Sequence, residues 1–233
     1  MSPNYEFRIP KALGYSIPVA VAGIMLATLV SYASPDGAMW GVLLAVLITI
    51  VSGAYVFIAQ YIKYFTNLDR RLLARDFLLK EIDLKGNESI LDIGCGNGIL
   101  ILGAAKKLTT GKAIGTDIWT ENSGDNKKEI FEQNAKIEGV SEFVSLYNED
   151  ARNLSFKSDS FDSILCGLTM HHILHDEGVE KAIAEMSRVL KPSGSIAIYD
   201  VPIAIKATKK LLLKQGMIVK KINSNFILCR KIS

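Results

Sequence analysis

Two long apolar runs open the chain, and short apolar runs alternating with amphipathic stretches fill the rest. Ala12–Pro35 contains no charged residue over 24 positions and Gly37–Ile62 none over 26, with only Asp36 between them. A helix rises about 1.5 Å per residue, so about 20 apolar residues cross a hydrocarbon core. Each run is long enough, and Ser34-Pro35-Asp36-Gly37 between them is turn chemistry. The pattern predicts a transmembrane helical hairpin over residues 12–62, within an N-terminal segment 1–65. Two duller readings fit less well. A cleaved signal sequence has a shorter apolar core and no second run directly after it. A buried soluble hairpin carries a polar face, whereas Val42–Ile50 is apolar on every side but Thr49.

The flanks orient the hairpin. Arg8 and Lys11 precede it and Lys63, Arg70, Arg71 and Arg75 follow, while the connecting turn carries only an acid. The positive-inside tendency therefore puts both termini on the cytoplasmic side of a lipid bilayer. Gly23, Ala27, Ser31, Gly41 and Ala45 are small enough to let the two helices pack closely.

After Lys63 the periodicity changes. Asp69–Ile82 alternates charge with Leu72, Leu73, Phe77 and Leu78, an amphipathic linker helix within residues 66–84. From residue 85 to 233, strands are expected at 88–93, 112–117, 142–147, 161–166, 194–201, 217–222 and 225–231. Helices are expected at 97–108, 123–138, 177–190 and 204–215. This alternation implies an α/β domain with a parallel sheet covered on both faces. Only Asn223 and Ser224 separate the last two strands, which should pair as an antiparallel hairpin.

Composition sharpens the division. The chain has 233 residues, 49% hydrophobic and 22% charged, and its mean hydropathy is +0.23. So apolar a chain can bury enough surface to fold, which excludes disorder, and three scattered cysteines exclude a disulfide scaffold. The net charge of +3 hides an asymmetry. Residues 201–233 hold eight Lys or Arg and no acid, whereas 66–200 hold 16 bases and 22 acids, net −6. Lys206, Lys209, Lys210, Lys214, Lys220 and Lys221 either face the anionic inner leaflet or form an ordinary solvated face.

The stretch richest in chemistry is Leu91-Asp92-Ile93-Gly94-Cys95-Gly96-Asn97-Gly98, which ends a strand and opens a helix. Its glycines permit a tight turn and close approach of a ligand. A dinucleotide fingerprint would put its third glycine at position 99, where Ile99 stands, and no phosphate-loop Gly-Lys-Ser/Thr follows. Asp92 would repel a pyrophosphate but favours a cationic ligand. S-adenosylmethionine, with its sulfonium and ammonium, fits that charge.

Leu91–Gly98 resembles the first motif of class I S-adenosylmethionine-dependent methyltransferases, over roughly residues 70–233. Gly115-Thr116-Asp117-Ile118, Glu149-Asp150-Ala151, Phe161-Asp162-Ser163-Ile164 and Leu190-Lys191-Pro192-Ser193-Gly194 resemble further family segments in order. The resemblance implies a Rossmann-like seven-stranded sheet with its last strand antiparallel, and S-adenosylmethionine as cofactor. It assigns Asp92, Gly94, Gly96 and Gly98 to the methionine portion, Asp117 and Ile118 to ribose and adenine, and Asp150 and Ala151 to the adenine edge. Cys95 and Leu168 join the cofactor's residues, Cys95 as a small loop residue rather than a reactive thiol.

The acceptor is expected at Cys166-Gly167-Leu168-Thr169-Met170-His171-His172, with His171 the candidate general base and His172 pointing elsewhere. The plainer alternative has one histidine capping the next segment and the other packing on the sheet. His171 and His175 would share a helical face with Asp176 nearby, but no metal is expected. No Asn/Asp-Pro-Pro-Tyr/Phe follows the fourth strand, no Pro-Cys nucleophile is present, and no stacking platform interleaves aromatic with basic residues. Nucleic acid is therefore not an expected partner. These readings lead to a membrane-anchored methyltransferase acting on a lipid, quinone or isoprenoid-like acceptor. A small soluble metabolite, a protein side chain, or a non-catalytic S-adenosylmethionine sensor are the alternatives.

Overall fold

In the computed structural model the described residues are 2–5, 21–25, 28–29, 37–119, 127–174 and 177–232. They divide into two compact units, residues 6–70 and the chain from Arg71 onward together with the N-terminal residues up to Tyr5.

In the first unit, helix α1 (Gly37–Thr66) is continuous for 30 residues. Its stretch Met39–Thr66 has a mean hydropathy of 2.6 and is long and apolar enough to cross a membrane. Large apolar side chains from Met39 to Tyr61 are exposed along it. The earlier expected span lies mostly outside the described residues, although residues 21–25 and 28–29 are helical. There Gly23 faces Ile48 of α1 so closely that an added Cβ would lie 3.1 Å from that side chain. The hairpin turn and the flanks Arg8 and Lys11 also fall outside the described residues.

Helix α2 (Leu68–Ile82) spans the boundary between the two units, and from Arg71 onward it belongs to the second. Leu78 and Leu79 are buried, Phe77 meets Phe226 edge to face at 5.0 Å, and Arg75 packs against Gly103. Residues 2–5 also belong to this unit, ahead of the expected span over 12–62. Tyr5 is buried and donates its hydroxyl to Glu138 at 3.0 Å.

The domain alternates β1 (Ser89–Ile93), α3 (Ile99–Ala105), β2 (Lys112–Asp117), α4 (Lys127–Ile137), β3 (Val144–Asn148), β4 (Phe161–Gly167), α5 (Gly178–Val189), β5 (Leu190–Tyr199), α6 (Pro202–Lys214), β6 (Ile218–Ile222) and β7 (Phe226–Arg230). A single 3-10 turn, Met170–Ile173, follows β4. The sheet order is β3-β2-β1-β4-β5-β7-β6, parallel except for β7, which runs antiparallel to both neighbours. The expected C-terminal hairpin is therefore present.

Most element boundaries move for local reasons. Gly98 holds φ at +88°, a left-handed backbone, so α3 starts only after it and not at 97. Pro202 supplies the fixed φ that suits a first helical position, so α6 begins two residues early. β5 begins at Leu190 rather than at 194, because Leu190 already pairs with Phe161. In α5, Val179, Ala182, Ile183, Met186 and Val189 form the buried stripe that covers β4 and β5.

Strand order reverses between β1 and β4, which are neighbours although β2 and β3 lie between them in the chain. Connections leave this pair in opposite directions, opening a crevice beyond their carboxyl ends. The glycine-rich stretch and the 3-10 turn both lie there.

Candidate active site

β1 delivers Asp92 into the sheet interior. Its side chain is 1% exposed, and Oδ1 has no partner among the described residues. Burial, and secondarily the charge of Asp117, push its carboxyl well above the usual range, while the Ile101 amide in the first turn of α3 opposes the shift. A buried, unsatisfied carboxylate is costly, and a cation brought to it removes the cost.

The loop beyond β1 is shaped by its glycines. Gly94 has φ +70° and lies against Thr169, where an added Cβ would overlap the side chain. Gly94 and Cys95 donate their amides to Thr116 O at 2.8 and 3.0 Å. The Cys95 amide is thus spent inside the protein, and its side chain is buried against Gly115. Burial also pushes the Cys95 thiol well up, so it is protonated and unreactive.

Asp117, at the end of β2, ties the loop to the sheet. Its Oδ2 accepts from Gly96 N at 2.7 Å and its Oδ1 from Ile118 N at 2.7 Å. Each oxygen keeps a second lone pair for a ligand hydroxyl. Ile118 beside it is 45% exposed, an apolar surface at the crevice rim. Asp150 is more committed: Arg152 Nε donates to both its oxygens at 2.9 and 3.0 Å and holds the carboxyl below its ordinary range. Ala151 is partly buried against the core.

On the β4 side, Leu168 adopts φ +55°, a left-handed conformation that costs a branched residue about 1–2 kcal/mol. Its amide donates to Tyr199 O at 2.8 Å. Such strain persists where surrounding structure imposes it, commonly at functional sites. Thr169 Oγ1 reaches the carbonyls of Ile93 and Gly167 at 3.2 Å each, bracing the ends of β1 and β4.

His171 stands on the 3-10 turn and is held by Asp200 from the end of β5. Its Nδ1 is 2.7 Å from Asp200 Oδ1, and its amide donates to Oδ2 at 3.3 Å. Asp200 is fully buried. A carboxylate on Nδ1 selects the tautomer with the proton there, leaving Nε2 as the basic nitrogen. His172 does not point elsewhere: its ring lies 3.9 Å from that of His171, centroid to centroid. The 3-10 turn ends at Ile173, and His175 and Asp176 lie outside the described residues. Among the described residues no His, Cys, Asp or Glu cluster could hold a metal ion.

The structure thus brings together Asp92, the glycine loop, Asp117, Leu168 and His171 around one crevice, with Asp150 and Ala151 just beyond β3. Asp200 escapes a reading of sequence alone, and Thr169, placed there only in the acceptor stretch, proves to be a brace between strand ends. The only trace of Asp200 is an acid directly after a hydrophobic strand. Asn134 escapes it too: its side-chain amide donates to Asn97 O at 3.0 Å and Asn4 O at 2.9 Å, and its Oδ1 accepts from Asn4 N. It joins the glycine loop to the N-terminal residues.

Comparison with known proteins agrees with this geometry. Residues 91–198 match the family described as a methyltransferase domain. Methyltransferase GfsG of Streptomyces halstedii is 30% identical over 124 residues, covering 53% of this chain and 41% of that protein. The demethylmenaquinone methyltransferase of Bacteroides fragilis is 31% identical over 114 residues, covering 49% and 43%. Among solved structures, a SAM-dependent methyltransferase from Aquifex aeolicus superimposes with a TM-score of 0.57 at 20% identity, covering 74% of this chain and 96% of that one, a likeness of fold. The matched stretch thus resembles a methyltransferase domain, and its fold is shared with an enzyme named as SAM-dependent, SAM being S-adenosylmethionine. The chain spans about two fifths of the length of these curated relatives. The site fits that cofactor: an orphaned buried carboxylate suits its ammonium, the crowded Gly94 requires glycine, and Asp117 retains acceptors for ribose hydroxyls.

Proposed function

We propose that the chain is a membrane-anchored methyltransferase that methylates a lipid-like or quinone-like acceptor from the cytoplasmic side. The carrying observation is the crevice itself, where the orphaned Asp92 carboxylate and the Asp200-held His171 occupy adjacent strand ends. S-adenosylmethionine, when bound, supplies a methyl group on a sulfonium with a neutral thioether leaving group. Asp92 holds the donor's ammonium, Asp117 its ribose hydroxyls, and Ile118 and Ala151 flank its adenine. Gly94, Gly96 and Gly98 let the loop backbone approach, with Cys95 packed beneath it. Leu168 fixes the end of β4. His171 Nε2 orients the acceptor and takes its proton where the attacking atom carries one, and Asp200 keeps the imidazole in that tautomer. Positioning and exclusion of water supply most of the acceleration.

Two features support the anchor as a hairpin. Arg71 Nη1 donates to Tyr5 O at 2.8 Å, so residues 6–70 leave and re-enter the domain at one place. A segment returning to its starting side crosses a bilayer an even number of times; with α1 as one crossing, residues before it supply the other. The Gly23–Ile48 approach is the second support. For the acceptor, the support is the anchor together with the Bacteroides fragilis relative, whose name specifies demethylmenaquinone.

The test incubates purified full-length chain with methyl-labelled donor and separate lipid and aqueous extracts. Label is expected in the lipid fraction, lost in His171→Ala. Label confined to the aqueous fraction overturns the lipid reading, and none in either overturns the enzyme. Alkaline carbonate extraction of membranes tests the anchor, which fails if the chain is released.

A further inference from the structure

We propose that the outward face of α6 is a docking surface for an anionic lipid leaflet, bringing the crevice mouth to the headgroups. The inference rests on the membrane reading above and adds a second, separable contact. Ala204, Ile205, Thr208 and Leu212 are buried against the domain, which fixes the helix's orientation. The opposite face carries Ile203, Lys206, Lys210 and Leu213 at spacings of three and four residues, so they form one stripe. Ile203 is 67% exposed and Leu213 49%. Lys209 flanks them, also exposed.

Single exposed apolar side chains are ordinary, and so are surface lysines. Large apolar residues interleaved with cations on a helix without an acid form the pattern that suits a lipid interface. Ion pairing decides which cations are available. Lys214 is bound to Glu180 at 2.6 Å and Lys221 to Glu81 at 2.7 Å. Lys206, Lys209, Lys210 and Lys220 form no ion pair among the described residues, although, after the Lys214 hydrogen bond, the Lys210 charge also helps hold Glu180 below its ordinary range. The six lysines of the sequence pattern thus reduce to four, three of them on α6.

Charge complementarity selects the occupant. Residues 201–233 contain no acid, while residues 66–200 are net −6, so a negative leaflet attracts this edge and repels the rest of the domain. The chain's own α1 is long and apolar enough to cross a bilayer. Topology gives the contact a use. Pro202 starts α6 only two residues after Asp200, which holds His171. Ile203 therefore lies at the crevice end of the stripe, and docking would present the mouth to an acceptor dissolved in the bilayer.

The experiment uses the full chain with a thiol-reactive, polarity-sensitive fluorophore. The native Cys95, Cys166 and Cys229 are buried, so Ile203→Cys, Leu213→Cys and, as a distant exposed control, Ser158→Cys take the label. Each is reconstituted into phosphatidylcholine vesicles with or without phosphatidylglycerol, plus a doxyl-lipid quencher. Quenching at 203 and 213 is expected to exceed that at 158 several-fold in the anionic vesicles only. High salt, or Lys206→Glu with Lys209→Glu and Lys210→Glu, should abolish the difference while donor binding confirms folding. Equal quenching at all three positions, or no dependence on lipid charge, overturns the proposal. Flotation separates the two readings. A chain that floats with both lipids while 203 and 213 stay aqueous keeps its anchor and loses this surface. A chain that floats only with anionic vesicles and is quenched at 203 keeps the surface and loses the anchor.

Discussion

With Asp92 holding the donor's ammonium, as proposed, donor binding should depend on pH in a calculable way. In the free protein its carboxyl is buried, partnerless at Oδ1 and repelled by Asp117, so it gives up its proton only well above the usual carboxylate range. The donor's ammonium favours the ionised form. Binding therefore releases a proton wherever free Asp92 is still protonated. Below the free-state pKa each unit of acidification weakens binding tenfold, or about 1.4 kcal/mol. Near pH 8 the donor's own amino group begins to lose its charge, so affinity should peak between the two limits.

Calorimetry in buffers of different ionisation enthalpy measures both the affinity and the released protons. On the acid limb the logarithm of the binding constant should rise with a slope approaching one. Asp92→Asn should flatten that limb and cost about 1.5–3 kcal/mol at the optimum, the value of a hydrogen bond to a charged group, or about 10- to 150-fold in Kd. The same change should raise the melting temperature of the free protein at neutral pH. The sign follows from linkage: a carboxyl with a raised folded-state pKa loses stability as pH climbs from its unfolded toward its folded value, and an amide escapes that loss. Affinity that is flat from pH 5 to 7.5, with no proton release, would refute the assignment of Asp92 to the ammonium.

Gly94→Ala should destabilise the domain by about 2–5 kcal/mol, combining left-handed backbone strain with overlap on Thr169; chemical denaturation measures it, and an unchanged midpoint would contradict the geometry. Asp200→Asn should lower turnover by about 10²–10⁴-fold and shift the pH–rate profile while leaving donor affinity intact, because the imidazole loses its fixed tautomer. A loss that falls equally on donor affinity would instead mean a structural role. Asn134→Ala should remove its side-chain hydrogen bonds to Asn97 O and to the Asn4 backbone, costing about 1–3 kcal/mol. Faster proteolysis of the N-terminus and weaker donor binding are its readouts, and wild-type behaviour in both would show that the link carries no strain between them.

The sequence by itself determined the alternation that makes the sheet, because strands and helices bury one face each and the apolar spacing records which. It also determined the glycine loop, since Gly94 and Gly98 sit where only a residue without a side chain fits. The apolar helix was legible for the same reason: a long uncharged stretch is a local property. The tertiary structure alone decided what depends on residues far apart in the chain. Asp200 becomes the partner of His171 only because β4 and β5 are neighbours with matched ends, 29 residues apart in sequence. Asn4 reaches Asn134 across 130 positions, and Arg71 meets Tyr5 across 66, pairings that no local pattern announces. Which lysines remain available is equally nonlocal, since Glu180 and Glu81 neutralise two of them from other helices. Periodicity reports how each element is buried. Only packing reports which polar groups that burial brings face to face.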